Sequence, residues 1–529
     1  MKKALVLTIA FLTLSLYAQE EYPPIRENQN QLKHKQEYLE GIKNTTGQKH
    51  SPNVVMILAD DLGKNDISVY DLHGVSTPNL DRMAGEGVRF MEAYSTCPVC
   101  SPSRASALTG RYQQRYGYER QPMQRYARKP IEFFFFKHFV NVLPMHIREP
   151  WYSPPDSEIR KQGLPESETS LFEIFKAAGY KTACIGKWHL GYNEPFLPQN
   201  KGIDDFYGFY EAFSLYSPLN RKDIINVKHN SFHNRHIWRQ KRKGPSAIIR
   251  NGKEIMEPGY LTTRIAEEAC GFIDNNADKP FLLYVPFSAP HTPFQAPEEY
   301  VRRFDYLGDI NKQVYFAMIT LLDEAIGMIG NCLEENGLEE RTLVIFASDN
   351  GGATYTGATD NGELNGGKFT QFEGGINIPM IIKWNGILPA GTDFNQPVTL
   401  MDIFSTSLAV TGIEQPSYID IDGVDLIPFL KGENPAGTHD AIYWRTDYNK
   451  AVRKGRWKLL VNTVTGVVEL YDLESDRGET TDMSKQEPET VRELLEALAK
   501  WEKDLLPPSW PGVMEIEFEI NGKPTRWAI

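Results

Sequence analysis

Three stretches of this chain are apolar at nearly every position and stop abruptly at polar residues. They are Asn53-Val-Val-Met-Ile-Leu-Ala59, closed by Asp60-Asp61; Phe281-Leu-Leu-Tyr-Val-Pro-Phe287, leading to His291; and Leu343-Val-Ile-Phe-Ala-Ser348, closed by Asp349-Asn350. A strand with one wet face alternates apolar and polar residues, whereas a continuous run suits a strand buried on both faces. Helical patterns fall between the runs, at Ser170 to Ala178, Thr262 to Asn275 and Asn311 to Asn331. The alternation predicts an α/β fold, a large, mostly parallel sheet between helices, over residues 51–434. From about residue 435 the pattern shortens to Asp440 to Trp444, Trp457 to Val461 and Val468 to Tyr471, followed by a helix from about Glu487 to Leu505. This predicts a smaller C-terminal α+β domain with an antiparallel sheet over 435–529.

The N-terminus has a basic start, Met1-Lys2-Lys3, an apolar run from Ala4 to Leu16 and a small residue, Ala18, before Gln19-Glu20. That order predicts a signal peptide at 1–18 and a periplasmic or secreted protein. A bilayer span takes about 20 apolar residues, so the run is too short for stable membrane insertion. Residues 19–50 are polar and read as a linker with a helical turn or two. The net charge of −12 lacks the basic footprint that a general nucleic-acid binder needs. An anionic small substrate is not excluded, because it responds to local charge. Five cysteines are too few for a disulfide scaffold, and an odd number leaves at least one unpaired. Cys97, Cys184, Cys270 and Cys332 read as small core residues.

Two intervals read as insertions, either surface loops or walls of a substrate cleft. Tyr126 to Pro165 contains Phe133-Phe-Phe-Phe136 and Trp151-Tyr-Ser-Pro-Pro155. Phe209 to Asn251 contains His229, His233, His236 and the basic run Arg239-Gln-Lys-Arg-Lys243. The strand-closing pairs, Asp60-Asp61 and Asp349-Asn350, sit where open α/β sheets bind ligands, beyond the carboxyl ends of strands. Together they offer a hard divalent cation oxygen ligands, although either pair alone could cap a helix or close a turn.

The segment Cys100-Ser-Pro-Ser-Arg104, followed by Thr109-Gly110-Arg111, resembles the signature of the formylglycine-dependent sulfatases of the alkaline phosphatase-like superfamily. Further matches follow in the family's order: Ala59-Asp-Asp-Leu-Gly63, Thr77-Pro-Asn-Leu-Asp81, Gly186-Lys-Trp-His-Leu-Gly191, Asp349-Asn-Gly-Gly352 and Gly366-Gly-Lys368. The resemblance implies an alkaline phosphatase-like core and a formylglycine made from Cys100 by a formylglycine-generating or sulfatase-maturating enzyme. It places Asp60, Asp61, Asp349 and Asn350 as ligands of a divalent ion, Ca²⁺ by family habit, with Mg²⁺ the alternative. Arg104 matches the residue that steadies the formylglycine, and Lys187 and Lys368 match the lysines that hold the sulfate. His189 matches the histidine that takes a proton when sulfate is released. His291, in Ala289-Pro-His-Thr-Pro293, matches a residue near the leaving-group oxygen, with Lys368 as proton donor.

These assignments describe a sulfuric ester hydrolase acting on a sulfated polysaccharide or oligosaccharide: an algal galactan such as carrageenan, another marine glycan or an animal glycosaminoglycan. One hydroxyl of the hydrated aldehyde attacks sulfur, and loss of the second hydroxyl's proton then ejects sulfate, a release that a serine ester lacks. Preorganised cations stabilise the transferring group, as in phosphoryl transfer. Two other classes share parts of this pattern: a phosphatase or phosphodiesterase of the same superfamily, and an inactive protein that binds sulfated glycans.

Overall fold

The computed structural model describes residues 24–42, 51–71, 74–124, 126–127, 129–135, 145–148, 153–228, 237–520 and 523–528. The signal-peptide reading at 1–18, Phe136, Trp151-Tyr152 and the histidines at 229, 233 and 236 lie outside the described residues.

The elements that position the site are, in chain order, α1 (Gln29–Ile42), β1 (Asn53–Asp60), α2 (Cys100–Thr109), α3 (Leu171–Ala177), β2 (Lys181–Lys187), α4 (Leu261–Asn276), β3 (Phe281–Pro290), α5 (Ile310–Glu335) and β4 (Thr342–Ser348). All eight residues of β1 are buried. Val55, Ile57 and Ala59 enter one apolar cluster, and Val54, Met56 and Leu58 enter another on the opposite face. That two-sided burial is the physical reason the run carries no alternation.

The main sheet has ten strands. From one edge they are Thr392–Phe394, Val88–Phe90, Met380–Lys383, β4, β1, β3, β2, Asp205–Phe209, Ile248–Arg250 and Lys253–Ile255. The four central strands β4, β1, β3 and β2 are mutually parallel, whereas Met380–Lys383 runs antiparallel to β4. Register aligns their ends, pairing Asp60 with Pro290 and Ala59 with Ser348. The polar residues that follow all four strands therefore emerge side by side at one edge of the sheet.

The predicted helices form with small shifts at their ends. Ser170 caps α3 through a reciprocal box with Glu173. Asp309 caps α5 by accepting from the amides of Asn311 and Lys312. By length and composition α5 could cross a membrane. Its apolar residues instead pack against α4, β3 and the chain after His291. Cys270 on α4 and Cys332 on α5 are joined in a disulfide, which corrects their reading as isolated core residues. The pairing arises because two helices that carry cysteines 62 residues apart lie side by side, a proximity that spacing along the chain does not encode.

The stretch read as a linker carries α1, a helix of 14 residues. Its buried Lys35 pairs with Glu173 of α3 at 2.6 Å and donates to the carbonyls of Glu166 and Glu168. At the other end of the chain, β5 (Ile442–Thr446), β6 (Asn449–Lys454), β7 (Trp457–Asn462) and β8 (Val467–Asp472) form an antiparallel meander, followed by α6 (Pro488–Glu502). A further hairpin, Met514–Ile520 with Lys523–Ala528, pairs with Met145–Ile147 from the first insertion. The second insertion contributes Ile224–Val227, which pairs with Phe294–Pro297 just past His291.

Candidate active site

Asp60 ends β1, and Asp61 follows it with φ +63°. Asp349 and Asn350 follow β4, Lys187 ends β2, and His291 follows β3. Cys100 begins α2, all ten of whose residues are buried. Arg104, one turn along α2, falls on the same face of the helix as Cys100. Gly110 ends α2 in the left-handed region, where an added Cβ would meet the ring of Phe404 at 2.5 Å.

The thiol of Cys100 is 3.2 Å from Asp60 Oδ1, 3.6 Å from Asp61 Oδ1 and 3.3 Å from Lys368 Nζ. Lys187 Nζ donates to Asp60 Oδ2 at 2.6 Å, and Lys368 Nζ donates to Asp61 Oδ2 at 2.9 Å. Arg104 Nε donates to Asp349 Oδ2 at 2.7 Å, a terminal nitrogen lies 2.6 Å from the same oxygen as an ion pair, and another donates to the carbonyl of Lys187. Asn350 Nδ2 donates to Asp61 Oδ1 at 2.8 Å. His291 Nδ1 lies 2.5 Å from the carbonyl of Thr292, and its Nε2 lies 3.6 Å from Asp61 Oδ2. His189 is reached through its backbone: its carbonyl accepts from Ser101 at 2.6 Å and its amide donates to Tyr210. Its ring is fully buried, with neither nitrogen partnered among the described residues.

Charges in this cluster perturb one another strongly. Burial alone would raise the Asp61 carboxyl, but Lys368, His291 and Lys187 hold it well below the ordinary range. Burial raises Asp349 in spite of Arg104, with Asp60 adding to the rise. Burial, Asp349 and Asp60 push the Cys100 thiol far up, so as a plain cysteine it stays protonated. Burial brings His291 down to about 3, against the pull of Asp61. Burial, then Lys187 and Arg104, hold His189 well below the usual imidazole value. Both rings are therefore neutral at pH 7.

Sequence reasoning passed over several residues that shape the site. Tyr216 donates its hydroxyl to the carbonyls of Ser288 and His291, fixing the turn at the end of β3. Tyr315 of α5 donates to Asp66 at 2.6 Å and lies 3.4 Å from the carbonyl of Asp61. Asn361 holds the two glycine-rich turns together through its side-chain amide. None of these lies in a recognisable short motif; Tyr216 and Asn361 act on backbone, and Tyr315 chiefly on the side chain of Asp66. Trp188, read as packing, is buried with its indole N–H on the carbonyl of Phe196.

The sulfatase family model matches residues 52–413, which include every residue of this cluster. The chain belongs to the sulfatase family. A second model, the C-terminal region of N-sulphoglucosamine sulphohydrolase, matches residues 367–504 of this sulfatase. Human N-acetylgalactosamine-6-sulfatase is 33% identical over 419 residues, covering 78% of this chain and 72% of the relative. An Escherichia coli protein described as the uncharacterized sulfatase YdeN is 28% identical over 435 residues, covering 76% and 70%. Among solved structures, Ps i-CgsB in complex with k-i-k-neocarrahexaose superposes with a TM-score of 0.72 at 29% identity, covering 87% of this chain and 94% of that one.

The oxygen groups fit a hard divalent cation. Three carboxylates face three cationic side chains, Arg104, Lys187 and Lys368, so the cluster is neutral by itself. Addition of a divalent cation makes it net positive, as capture of an anionic ester requires. Asn350 Oδ1, fully buried, has no hydrogen-bond partner among the described residues, as expected of an atom reserved for a ligand. The atoms of Asp60, Asp61, Cys100 and His291 that could coordinate lie within 4.8 Å of one another.

Proposed function

We propose that this sulfatase is exported and removes sulfate from a galacto-configured sulfated glycan, using a formylglycine at position 100 and one divalent cation. The observation that carries the proposal is the seat of Cys100, between two carboxylates and the ammonium of Lys368, at the start of the Cys-Ser-Pro-Ser-Arg segment. A thiol held protonated there is a poor nucleophile. Oxidation of that side chain to an aldehyde, which hydrates, would supply a hydroxyl nucleophile and a second hydroxyl for sulfate release.

Asp60, Asp61, Asp349 and Asn350 would hold the cation, which supplies Lewis-acid polarisation when bound. All four are oxygen donors, which favours Ca²⁺ or Mg²⁺ over softer metals. Lys187 and Lys368 bind the sulfate oxygens, and the α2 N-terminus adds partial positive charge on the same side. Arg104 fixes Asp349 and keeps the carboxylates apart. His291 gives its Nδ1–H to the Thr292 carbonyl, which turns Nε2 toward the site as an acceptor. Lys368 carries the proton for the departing alcohol. His189 is neutral, with both ring nitrogens free of partners among the described residues, and takes a proton during sulfate release.

Two relatives support this choice of sugar, one named N-acetylgalactosamine-6-sulfatase and one in complex with k-i-k-neocarrahexaose. N-acetylgalactosamine is a galacto-configured sugar. The Cys270–Cys332 disulfide supports an oxidising compartment and so the exported address. Sulfate release should be measured from defined carrageenan oligosaccharides, N-acetylgalactosamine 6-sulfate and glucosamine sulfates, beside matched aryl sulfate and aryl phosphate. Release confined to the galacto-configured sugars and the aryl sulfate is expected. Faster turnover of aryl phosphate would make the protein a phosphatase, and glycan binding without release would make it a binding protein.

A further inference from the structure

The segment carrying Lys368 is held from behind by charges belonging to the C-terminal sheet. Lys458 on β7 is fully buried, with Nζ 2.8 Å from Glu373 Oε1 and 2.8 Å from Glu479 Oε1. Glu479 Oε2 accepts the backbone N–H of Glu373 at 2.7 Å. The other oxygen of Glu373 accepts from Tyr94 at 2.9 Å and from Asn377 at 2.8 Å. Burying an ammonium and two carboxyl groups costs desolvation energy that a packed apolar patch would avoid, so stability alone is a weak reason for this cluster.

What the cluster holds is the backbone around residue 373. Gly374 donates to the carbonyl of Asn365 at 2.7 Å, and the carbonyl of Gly375 accepts from Gly351, beside Asn350, at 2.9 Å. Asn361 donates to the carbonyls of Gly374 at 3.0 Å and Gly366 at 3.1 Å, and accepts from Gly352 at 3.2 Å. The amide of Lys368 then donates to the carbonyl of Gly352 at 2.9 Å. The glycines leave no slack: a Cβ on Gly351 would meet Gly374 O at 1.9 Å, and one on Gly375 would meet Thr370 O at 2.1 Å. A shift at Glu373 therefore passes to both Lys368 and Asn350.

We infer that Lys458 is a positioning residue: by clamping Glu373 and Glu479, it fixes the turn that aims Lys368 at residue 100 and Asp61. The catalytic half of this inference rests on the function proposed above; the mechanical half does not. Lys458→Met removes the charge at nearly constant volume, and Glu479→Gln is the milder companion if the first variant does not fold. With formylglycine content at residue 100 equal to wild type, kcat on an aryl sulfate should fall on the order of 10- to 100-fold, the scale of a sub-ångström misplacement. KM should change by less than about 3-fold, because small misalignments cost more in the transition state than in binding. Hydrogen exchange read by mass spectrometry should show lost amide protection over 361–377, with β1 unchanged. Native kcat with lost protection, or lowered kcat with native protection, overturns the inference. A wild type that hydrolyses no sulfate ester would sink the function, and the exchange measurement would still decide whether Lys458 holds the turn.

Discussion

Arg104 is wholly buried, and the structure balances its charge by a close ion pair with Asp349. Removing one member of a buried pair leaves the other uncompensated, at about 3–5 kcal/mol. Asp349→Ala should therefore cost the ion-free protein that much in denaturant unfolding, and should also lower bound divalent metal measured by elemental analysis. Unchanged metal content in the variant would remove Asp349 from the proposed ligand set. At Cys100 the expectation concerns covalent chemistry. Mass spectrometry of the tryptic peptide from natively matured enzyme should show the thiol sulfur lost and an aldehyde or its hydrate in its place. Cys100→Ser keeps the volume and should keep the fold, while turnover drops by roughly a thousand-fold or more in a host that does not oxidise serine. An active native enzyme with an unmodified thiol would refute the mechanism.

Between elements, the disulfide joining α4 and α5 closes a loop of 62 residues. Loop-closure entropy over that span is worth about 4 kcal/mol at most. Cys270→Ser with Cys332→Ser should lower the thermal midpoint, and reductant should have the same effect on wild type but none on the variant. Equal midpoints for wild type with and without reductant would mean that the bond adds nothing. A second link ties the start of the C-terminal domain to the core. His439 Nε2 lies 2.9 and 3.0 Å from the two oxygens of Asp402, which also accepts the amides of Thr399 and Val424. Burial opposes protonation there, but Asp402, with Asp422 beyond it, raises the imidazole above its ordinary value. A raised folded value means the folded state binds the proton more tightly. The stabilisation is thus complete below the unfolded pKa of about 6.5 and is lost as pH rises through the higher folded value. His439→Gln should destabilise the protein at pH 5.5 and approach wild type once pH rises past the folded value, as followed by urea midpoints. A deficit independent of pH would reduce the pair to a neutral hydrogen bond.

Across the whole molecule, the C-terminal domain and the first insertion are structurally interwoven with the catalytic core. Met145–Ile147 pairs with Met514–Ile520, and Arg445 of β5 grips Glu119 with two nitrogens at 3.1 and 2.9 Å. Trp444 on β5 is buried against Tyr94, its indole N–H on the carbonyl of Ser95. The Lys458 cluster lies in the same junction. A chain ending near residue 435 would therefore expose the apolar side of this junction and leave Glu373 without its cation. Such a truncation should be insoluble or inactive, measured by yield of soluble protein and aryl sulfate turnover, whereas a folded and active truncation would show the domains to be independent.

The sequence by itself determined the sheet and the side chains that the structure gathers at its end. Continuous apolar runs carry two-sided burial in their composition, and a reacting group must be spelled as a particular side chain, so β1, β3, β4, Cys100, Arg104 and the acidic pairs are legible one segment at a time. Short-range rules also reach Ser170 and Glu173, which cap α3 within a single turn. Only the tertiary structure decided which distant segments meet. The joining of Cys270 to Cys332, the seating of α1 on α3 through Lys35, the pairing of Met145–Ile147 with the final hairpin and the convergence of Lys458, Glu373 and Glu479 all depend on how layers stack. These contacts span tens to hundreds of residues, so local patterning holds no trace of them. Lys35, Lys458, Glu373 and Glu479 are also of types ordinarily exposed, and burial converts them from surface charges into fixed partners.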